Sequence, residues 1–465
     1  MEQAAYNKTG LINAEETALA EFCMECALKS GASQARVSLS KSVMDSYSMF
    51  NGTLDKVTHS ADRSIYLYLF IDGRYGTYST NMLDKEAIES FTQKAVEATR
   101  LLAEDNCRCL PEYGRCADNA VTGRELGLYD ENYESVTTEQ RLKTAADECI
   151  FSNALLPEGI RLISEECEYA DSVDDNYLID SQGFRGRHTE SAFTICSEIT
   201  ISDSKGRKYS GYWWEASPAL AQLVTKSCSR KALEKAIGQT GPIKHKSCRT
   251  RMVVDTSVSS RLASPLISAL NASSIQQESS FLKDSIGKKI FSEGLTLNDL
   301  PLTYGKAGSR LFDTEGVATK NCKIIEKGVV TGYFVNTYMA NKMGIAPTIE
   351  GVSRPVLEKW QKDSMAEVSD TGTSCLERII SLCGEGILVT GFNGGNCNQS
   401  TGYFSYGIEG FAFKDGKITH PVKEMVITGD MVSLWNNLIA AGDDARDCTR
   451  WQIPTLAFEN VDFSA

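Results

Sequence analysis

The stretch Thr401-Gly402-Tyr403-Phe404-Ser405-Tyr406-Gly407-Ile408-Glu409-Gly410-Phe411-Ala412-Phe413-Lys414-Asp415-Gly416-Lys417-Ile418-Thr419-His420-Pro421-Val422 decides the fold class of this chain. Glycine alternates there with aromatic and β-branched residues, which suit a pleated, half-buried surface. Asp415-Gly416 brings the turn chemistry of a tight hairpin. A helix ending near Ala441-Gly442-Asp443-Asp444 is expected after it. From about Gly287 to Ile427 the chain stays rich in Gly and β-branched residues, so a strand-rich C-terminal domain is expected over 243–465.

Upstream the pattern changes. Asn13 is placed to cap a helix over Ala14 to Lys29, with Glu15 and Glu16 at its positive end. Ala35, Val37 and Leu39 alternate as a strand. Ile65 to Ile71 is apolar on both faces, as in a central strand, and Asp72-Gly73 turns it into Tyr75 to Ser79. Leu83 to Leu102 reads as a helix. A second group follows the same plan. Thr137 or Thr138 starts a helix, and strands are expected over Ile160 to Ala170, Asn176 to Ile179 and Glu190 to Ser202. Asp174-Asp175 and Ser181-Gln182-Gly183 serve as their turns, and Pro218 opens a helix to Ile237. The reading is α+β: an N-terminal domain over 1–238 of antiparallel sheets flanked by helices, with subunits at 11–118 and 121–238, then the β-rich domain. A distant duplication inside 1–238 fits this order without any sequence identity to support it. Gly238-Gln239-Thr240-Gly241-Pro242 is the linker, and a helix over Ser260 to Ala272 follows a short strand at Arg251 to Asp255.

The chain has 465 residues, 42% of them hydrophobic, and a formal net charge of -13. That balance, with no basic block, argues against direct nucleic acid binding, which needs clustered Lys and Arg. The N-terminal residues have no basic start followed by an apolar run, and Ile65 to Ile71 is too short to cross a bilayer. A cytoplasmic protein that contacts no membrane is expected. The fifteen cysteines are spread from Cys23 to Cys448. Cys23 and Cys26 share an apolar helix face and read as core residues. Cys107, Cys109 and Cys116 lack a fourth zinc ligand nearby in sequence.

Three further segments carry a family resemblance: Phe312-Asp313-Thr314-Glu315-Gly316, Ile324-Ile325-Glu326-Lys327-Gly328-Val329-Val330-Thr331-Gly332-Tyr333, and Asn336-Thr337-Tyr338-Met339-Ala340. With the opening stretch, they resemble the TldD/PmbA family, also called modulators of DNA gyrase. The resemblance covers most of the chain and is strongest after Arg251. It implies a metalloprotease-related protein. Peptidase members carry His-Glu-x-x-x-His on a helix after the linker, with two imidazoles on zinc, the Glu activating water, and a cysteine ligand near the C-terminus. Aligned by eye, Ala263 and Ser268 stand at the imidazole positions and Ser264 at the Glu. The four histidines, His59, His188, His245 and His420, are nowhere followed by Glu.

Ser279-Ser280-Phe281-Leu282-Lys283-Asp284-Ser285-Ile286-Gly287 resembles the PmbA/TldE branch. This implies a non-catalytic subunit of a TldD/TldE-type metalloprotease complex in cytosolic proteolysis and peptide maturation. No cofactor is expected in this chain, and zinc is expected in a TldD-type partner. The implied partners are that zinc subunit, a second copy of this chain, or both, with a peptide or unfolded protein as substrate. Two other readings stay open: a stand-alone metallopeptidase with an unorthodox site, and a regulatory protein acting on DNA gyrase or a toxin-antitoxin system.

Among single residues, Asp313 and Glu315 form a carboxylate pair that could share a proton or ion, against a solvated-loop or helix-capping role. Cys448 lies where the peptidases keep their cysteine, and without histidines reads as a buried or idle thiol. Gly391, Phe392, Asn393, Gly394, Gly395 and Asn396 combine bare backbone with an aromatic ring. They are the candidate edge for peptide addition, against glycines that only permit bulges. No Walker lysine follows them, so no nucleotide site is expected.

Overall fold

A computed structural model of the chain describes residues 11–151, 155–364 and 373–465. The fold is α+β. It divides into two compact units. One comprises residues up to Ile237 with Leu302–Thr319 and Asn336–Glu350; the other comprises Gly238–Pro301, Lys320–Val335 and Gly351–Ala465.

The first unit repeats one plan twice. The first group is α1 (Ala14–Lys29), β1 (Gln34–Phe50), β2 (Thr53–Ile71), β3 (Arg74–Thr80) and α2 (Lys85–Thr99). The second is α3 (Thr138–Glu148), β4 (Arg161–Asp180), β5 (Arg185–Ser202), β6 (Lys208–Ser217) and α4 (Cys228–Gly238). The strands make one antiparallel sheet ordered β3-β2-β1-β4-β5-β6, so the two groups meet at β1 and β4, about the facing pair Val43 and Val173. Each half is a helix–three-strand–helix unit, the repeated order of elements that the sequence suggested.

The helices cover one face of this sheet. Val37, Leu39, Leu67 and Leu69 pack with Ala20, Cys23 and Ala27 of α1 and Ile88, Ala95 and Val96 of α2. Tyr47, Tyr169 and Ile195 pack with Ala145 of α3, and Ile199 and Ile201 with Ala232 and Ala236 of α4. Registers that match odd residues with odd residues put all these side chains on the same face, as a period of two demands. Asn13 and Thr137 each close a capping box, with Glu16 and Gln140 reaching back. That satisfies two otherwise orphaned donors per helix.

Several sequence expectations need correcting. Asp174-Asp175 is not a turn; it lies within the 20-residue strand β4. Asp175 is fully buried, which is tolerable because Arg187 and Thr189 of β5 bond to its carboxylate. Pro218 opens only a 3-10 turn at Leu220–Gln222, and α4 starts at Cys228.

In the second unit the elements are β7 (Ile243–Lys244), β8 (Cys248–Val254), α5 (Ser260–Ala269), α6 (Ala272–Gln276), β9 (Leu297–Asp299), β10 (Cys322–Glu326) and β11 (Val329–Val330). A short helix α7 (Thr337–Met343) belongs to the first unit. Then come β12 (Pro355–Leu357), β13 (Trp360–Gln361), α8 (Cys375–Cys383), β14 (Gly386–Cys397), β15 (Tyr403–Lys414), β16 (Lys417–Asp430), α9 (Met431–Asn436), β17 (Leu438–Ala441) and β18 (Leu456–Ser464). The main sheet runs β13-β17-β18-β8-β14-β15-β16-β7, and β18 also pairs with β16. Strands β8, β14, β15, β16 and β18 therefore close a ring.

The expected hairpin at 401–422 is β15 and β16. The helix expected to end near Ala441 stops at Asn436. Leu438, Ile439, Ala440 and Ala441 are all buried, and a run buried on both faces is better satisfied as the strand β17. The helix expected over Ser260 to Ala272 breaks at Leu270. Phe334 donates to the Leu270 carbonyl and accepts from Ala272, while Asn271 caps α6. Among the described residues no helix is long and apolar enough to cross a membrane.

Candidate functional site

The site lies in the second unit, where β8 stops short of its neighbour. β8 runs parallel to β14 only from Ile387 to Val389, opposite Met252 to Val254. Asp255 then bonds to the Val389 carbonyl and the chain turns away towards α5. From Gly391 to Asn396, β14 has β15 on one side and no strand on the other. Register shifts between Val389 and Gly391, and between Asn393 and Asn396, mark two bulges in this stretch. Gly395 sits at φ +77°, and a Cβ there would meet the Ser405 carbonyl at 1.9 Å, so the bulge needs glycine. Asn393, Gly394, Gly395 and Asn396 are exposed. Asn393 is tethered by a 2.8 Å bond to Glu409.

Beside this edge is a cavity of about 230 Å³ lined by Arg261, Ser264, Pro265, Ser268, Asn396, Cys397, Gln399 and Tyr406. The α5 residues fall at i, i+3, i+4 and i+7, one helix face. Pro265 lies inside the helix and has no N–H for the Arg261 carbonyl. Gln399 donates to the Ser268 carbonyl and to Ser274, each at 2.7 Å, and so ties the loop after β14 to α5 and α6. Tyr406 is packed edge-on against Phe392 and stacked on Phe404, with centroids 5.5 and 5.4 Å away. Burial pushes its phenol up, as it does the Cys397 thiol. The Arg261 guanidinium lies 5.1 Å from the Tyr406 ring centre and donates to the Gly395 carbonyl at 3.1 Å.

Of the positions aligned with the family's metal motif, Ser264 and Ser268 line the cavity and Ala263 is fully buried in the core. The donor set there, a guanidinium with hydroxyls, carboxamides and the single thiol of Cys397, does not fit zinc, which takes at least three thiolate, imidazole or carboxylate ligands. Cys448 is half-buried and does not line the cavity. His245 and His420 stack on each other, 6.1 Å between centres. His59 pairs with Asp45, and His188 with Glu190.

In the first unit, Asp313 and Glu315 are both buried. Asp313 accepts from the backbone N–H groups of Glu315, Val317 and Glu350. Glu315 accepts from the N–H and hydroxyl of Thr337 at the start of α7. Burial pushes the Asp313 carboxyl up to about 6, despite its backbone donors. Both carboxylates thus hold backbone in place.

Among the described residues one cluster has metal-like composition: Cys149, Glu165 and Cys167, with ligand atoms within 4.8 Å of one another. Glu165 is occupied by the N–H groups of Ile150 and Phe151, and Cys167 by Ser229. The Cys167 thiol is pushed up by its bond to Cys149 and by burial, which disfavours the thiolate that a metal needs. Nothing in the sequence pattern joined these three residues, which are spaced across a helix end and a strand.

Comparison with known proteins agrees with this architecture. Residues 247–465 match the family model for the PmbA/TldA metallopeptidase C-terminal domain, and residues 35–99 that for PmbA/TldA metallopeptidase domain 1. The chain is 26% identical over 427 residues to metalloprotease PmbA of Escherichia coli O157:H7, covering 90% of this chain and 89% of that one. A crystal structure described as a modulator of DNA gyrase from Bacteroides thetaiotaomicron VPI-5482 is 40% identical. It superposes with a TM-score of 0.90 over 98% of this chain and 100% of that one. TldE from Thermococcus kodakarensis, 18% identical, shares the fold with a TM-score of 0.78 over 96% of this chain and 100% of that one. With family models matching both ends and a solved relative alike along its whole length, the chain belongs to the PmbA/TldD family of metalloprotease-related proteins.

Proposed function

We propose that this chain is a non-catalytic, PmbA/TldE-like subunit of a TldD/TldE-type metalloprotease complex. It acts in the cytoplasm, in proteolysis and the maturation of peptides. A TldD-type subunit supplies the zinc, and this chain holds extended substrate along the open edge of β14 at Gly391 to Asn396. One observation carries the reading. The α5 face beside that edge presents Arg261, Ser264, Pro265 and Ser268, side chains that can bind a peptide but not activate water on a divalent ion. An unpaired strand edge in glycine-rich, bulged backbone suits main-chain addition of a peptide, with the neighbouring cavity taking a side chain or terminus.

The test is reconstitution with a TldD-type chain that carries His-Glu-x-x-x-His. Cleavage of an unfolded polypeptide should rise when this chain is added, and fall to background when the partner's histidines are replaced. No gain over the partner alone defeats the proposal. Stoichiometric zinc together with unaided cleavage would favour the stand-alone metallopeptidase.

A further inference from the structure

The chemistry of the cavity beside β14 is one-sided. It is lined by one permanent cation, Arg261, with two serine hydroxyls, two carboxamides, a thiol and a phenol, and no carboxylate. The Gln399 amide is committed to α5 and α6. Arg261 is held from two sides, by the Tyr406 ring and the Gly395 carbonyl. Among the described residues no carboxylate pairs with it, although acidic groups outnumber basic ones 61 to 48 in the chain. In a protein so acidic, a cavity that excludes carboxylates and fixes a guanidinium at its wall selects for an anion. A guanidinium's planar fork matches a carboxylate two bonds at a time. The open edge of β14 ends at Asn396, which itself lines the cavity, so a strand laid on that edge leads into it.

We infer that this cavity binds a substrate carboxylate, the C-terminal one of an extended peptide added to β14, with Arg261 as the principal contact and Ser264 and Ser268 beside it. The inference rests on the proposed peptide-presenting role and specifies the ligand chemistry at the same site. Arg261 itself is exposed, so the buried Tyr406 ring and the Gly395 carbonyl serve to orient the guanidinium towards the cavity while leaving it open to an incoming anion.

The experiment uses three fluorescein-labelled heptapeptides of one neutral, apolar sequence: a free acid, its C-terminal amide, and an amide with one internal Glu. Binding to the full chain is read by anisotropy. The free acid should bind on the order of tenfold more tightly than the neutral amide, a gap of about 1.4 kcal/mol. Arg261→Ala should erase that preference, and Arg261→Lys should keep part of it, since charge remains and the fork is lost. Ser268→Ala, which leaves the charge untouched, should weaken the free acid by a smaller factor. If the Glu-containing amide binds as well as the free acid, carboxylate recognition stands and the source is an acidic side chain. Equal binding of all three peptides, binding of none, or an unchanged preference in Arg261→Ala overturns the inference. None of these outcomes decides the subunit role, which is judged by stimulation of the zinc partner.

Discussion

Asp175 and Arg187 form a two-pronged ion pair inside the first unit, with Nε to Oδ1 at 3.0 Å and Nη2 to Oδ2 at 2.5 Å. The carboxylate is fully buried and also accepts from the Thr189 hydroxyl and the Ile12 backbone N–H, while Arg187 donates to the Ile12 carbonyl. The pair thus fixes the approach to α1 against the C-terminal part of β4 and the start of β5. Removing one partner strands a buried charge, which costs about 3–5 kcal/mol. Arg187→Ala should lose that much by urea denaturation. The double variant Asp175→Ala/Arg187→Ala should lose clearly less than the sum of the two singles. Additive losses would show that the pair is not coupled.

Asp313 gives a pH signature. Burial raises its folded pKa to about 6 from the ordinary 3.8. Between roughly pH 4 and 6 the folded chain therefore holds a proton that the unfolded chain has lost. This group's contribution to stability falls as pH rises through that window and is flat above it. Asp313→Asn should remove the slope, a difference on the order of 1–3 kcal/mol between the ends of the window. At pH 7.5 the variant should differ little from the parent. Relief of a buried charge is offset by loss of the acceptor that faces the Glu350 N–H. Parallel stability–pH curves for the two proteins would refute the assignment.

Gly211 of β6 has no room for a side chain. A Cβ there would meet the Ala232 carbonyl at 2.0 Å and the Ala236 nitrogen at 2.7 Å, both backbone atoms of α4. Gly211→Ala should force α4 off the sheet and destabilise the chain by about 1–3 kcal/mol. Increased amide exchange should be confined to α4 and β6. An unchanged melting temperature would contradict this packing.

Chelation separates this chain from a metal-dependent one. Treatment with EDTA should leave its melting temperature unchanged, since α5 carries no fitting donor set, the Cys167 thiol is pushed up by its bond to Cys149 and by burial, and Glu165 is engaged by backbone N–H groups. A drop in melting temperature that Cys149→Ser/Cys167→Ser abolishes would locate a metal at that cluster.

What could be read from the sequence was local. The capping boxes at Asn13 and Thr137, the hairpin at 401–422 and the glycine-rich run at 391–396 each depend on residues a few positions apart. Asp174-Asp175 was misleading for the opposite reason. Its burial is compensated by Arg187 on the next strand and by Ile12 far back in the chain. β17 reads as helix because four apolar residues carry no period, and only pairing with β18 makes them a strand. The cavity could not be read at all. Arg261 and Tyr406 belong to segments that meet only once β8 stops beside β14.

The ring closed by β18 has a bearing on biosynthesis. The six strands of the first sheet have all been synthesised once Ser217 is made. β8 and β16, by contrast, wait for residues 456–464 before each gains its last neighbour. Until then the nascent second unit carries open edges that invite pairing with other chains, so holding chaperones should be recruited late in translation.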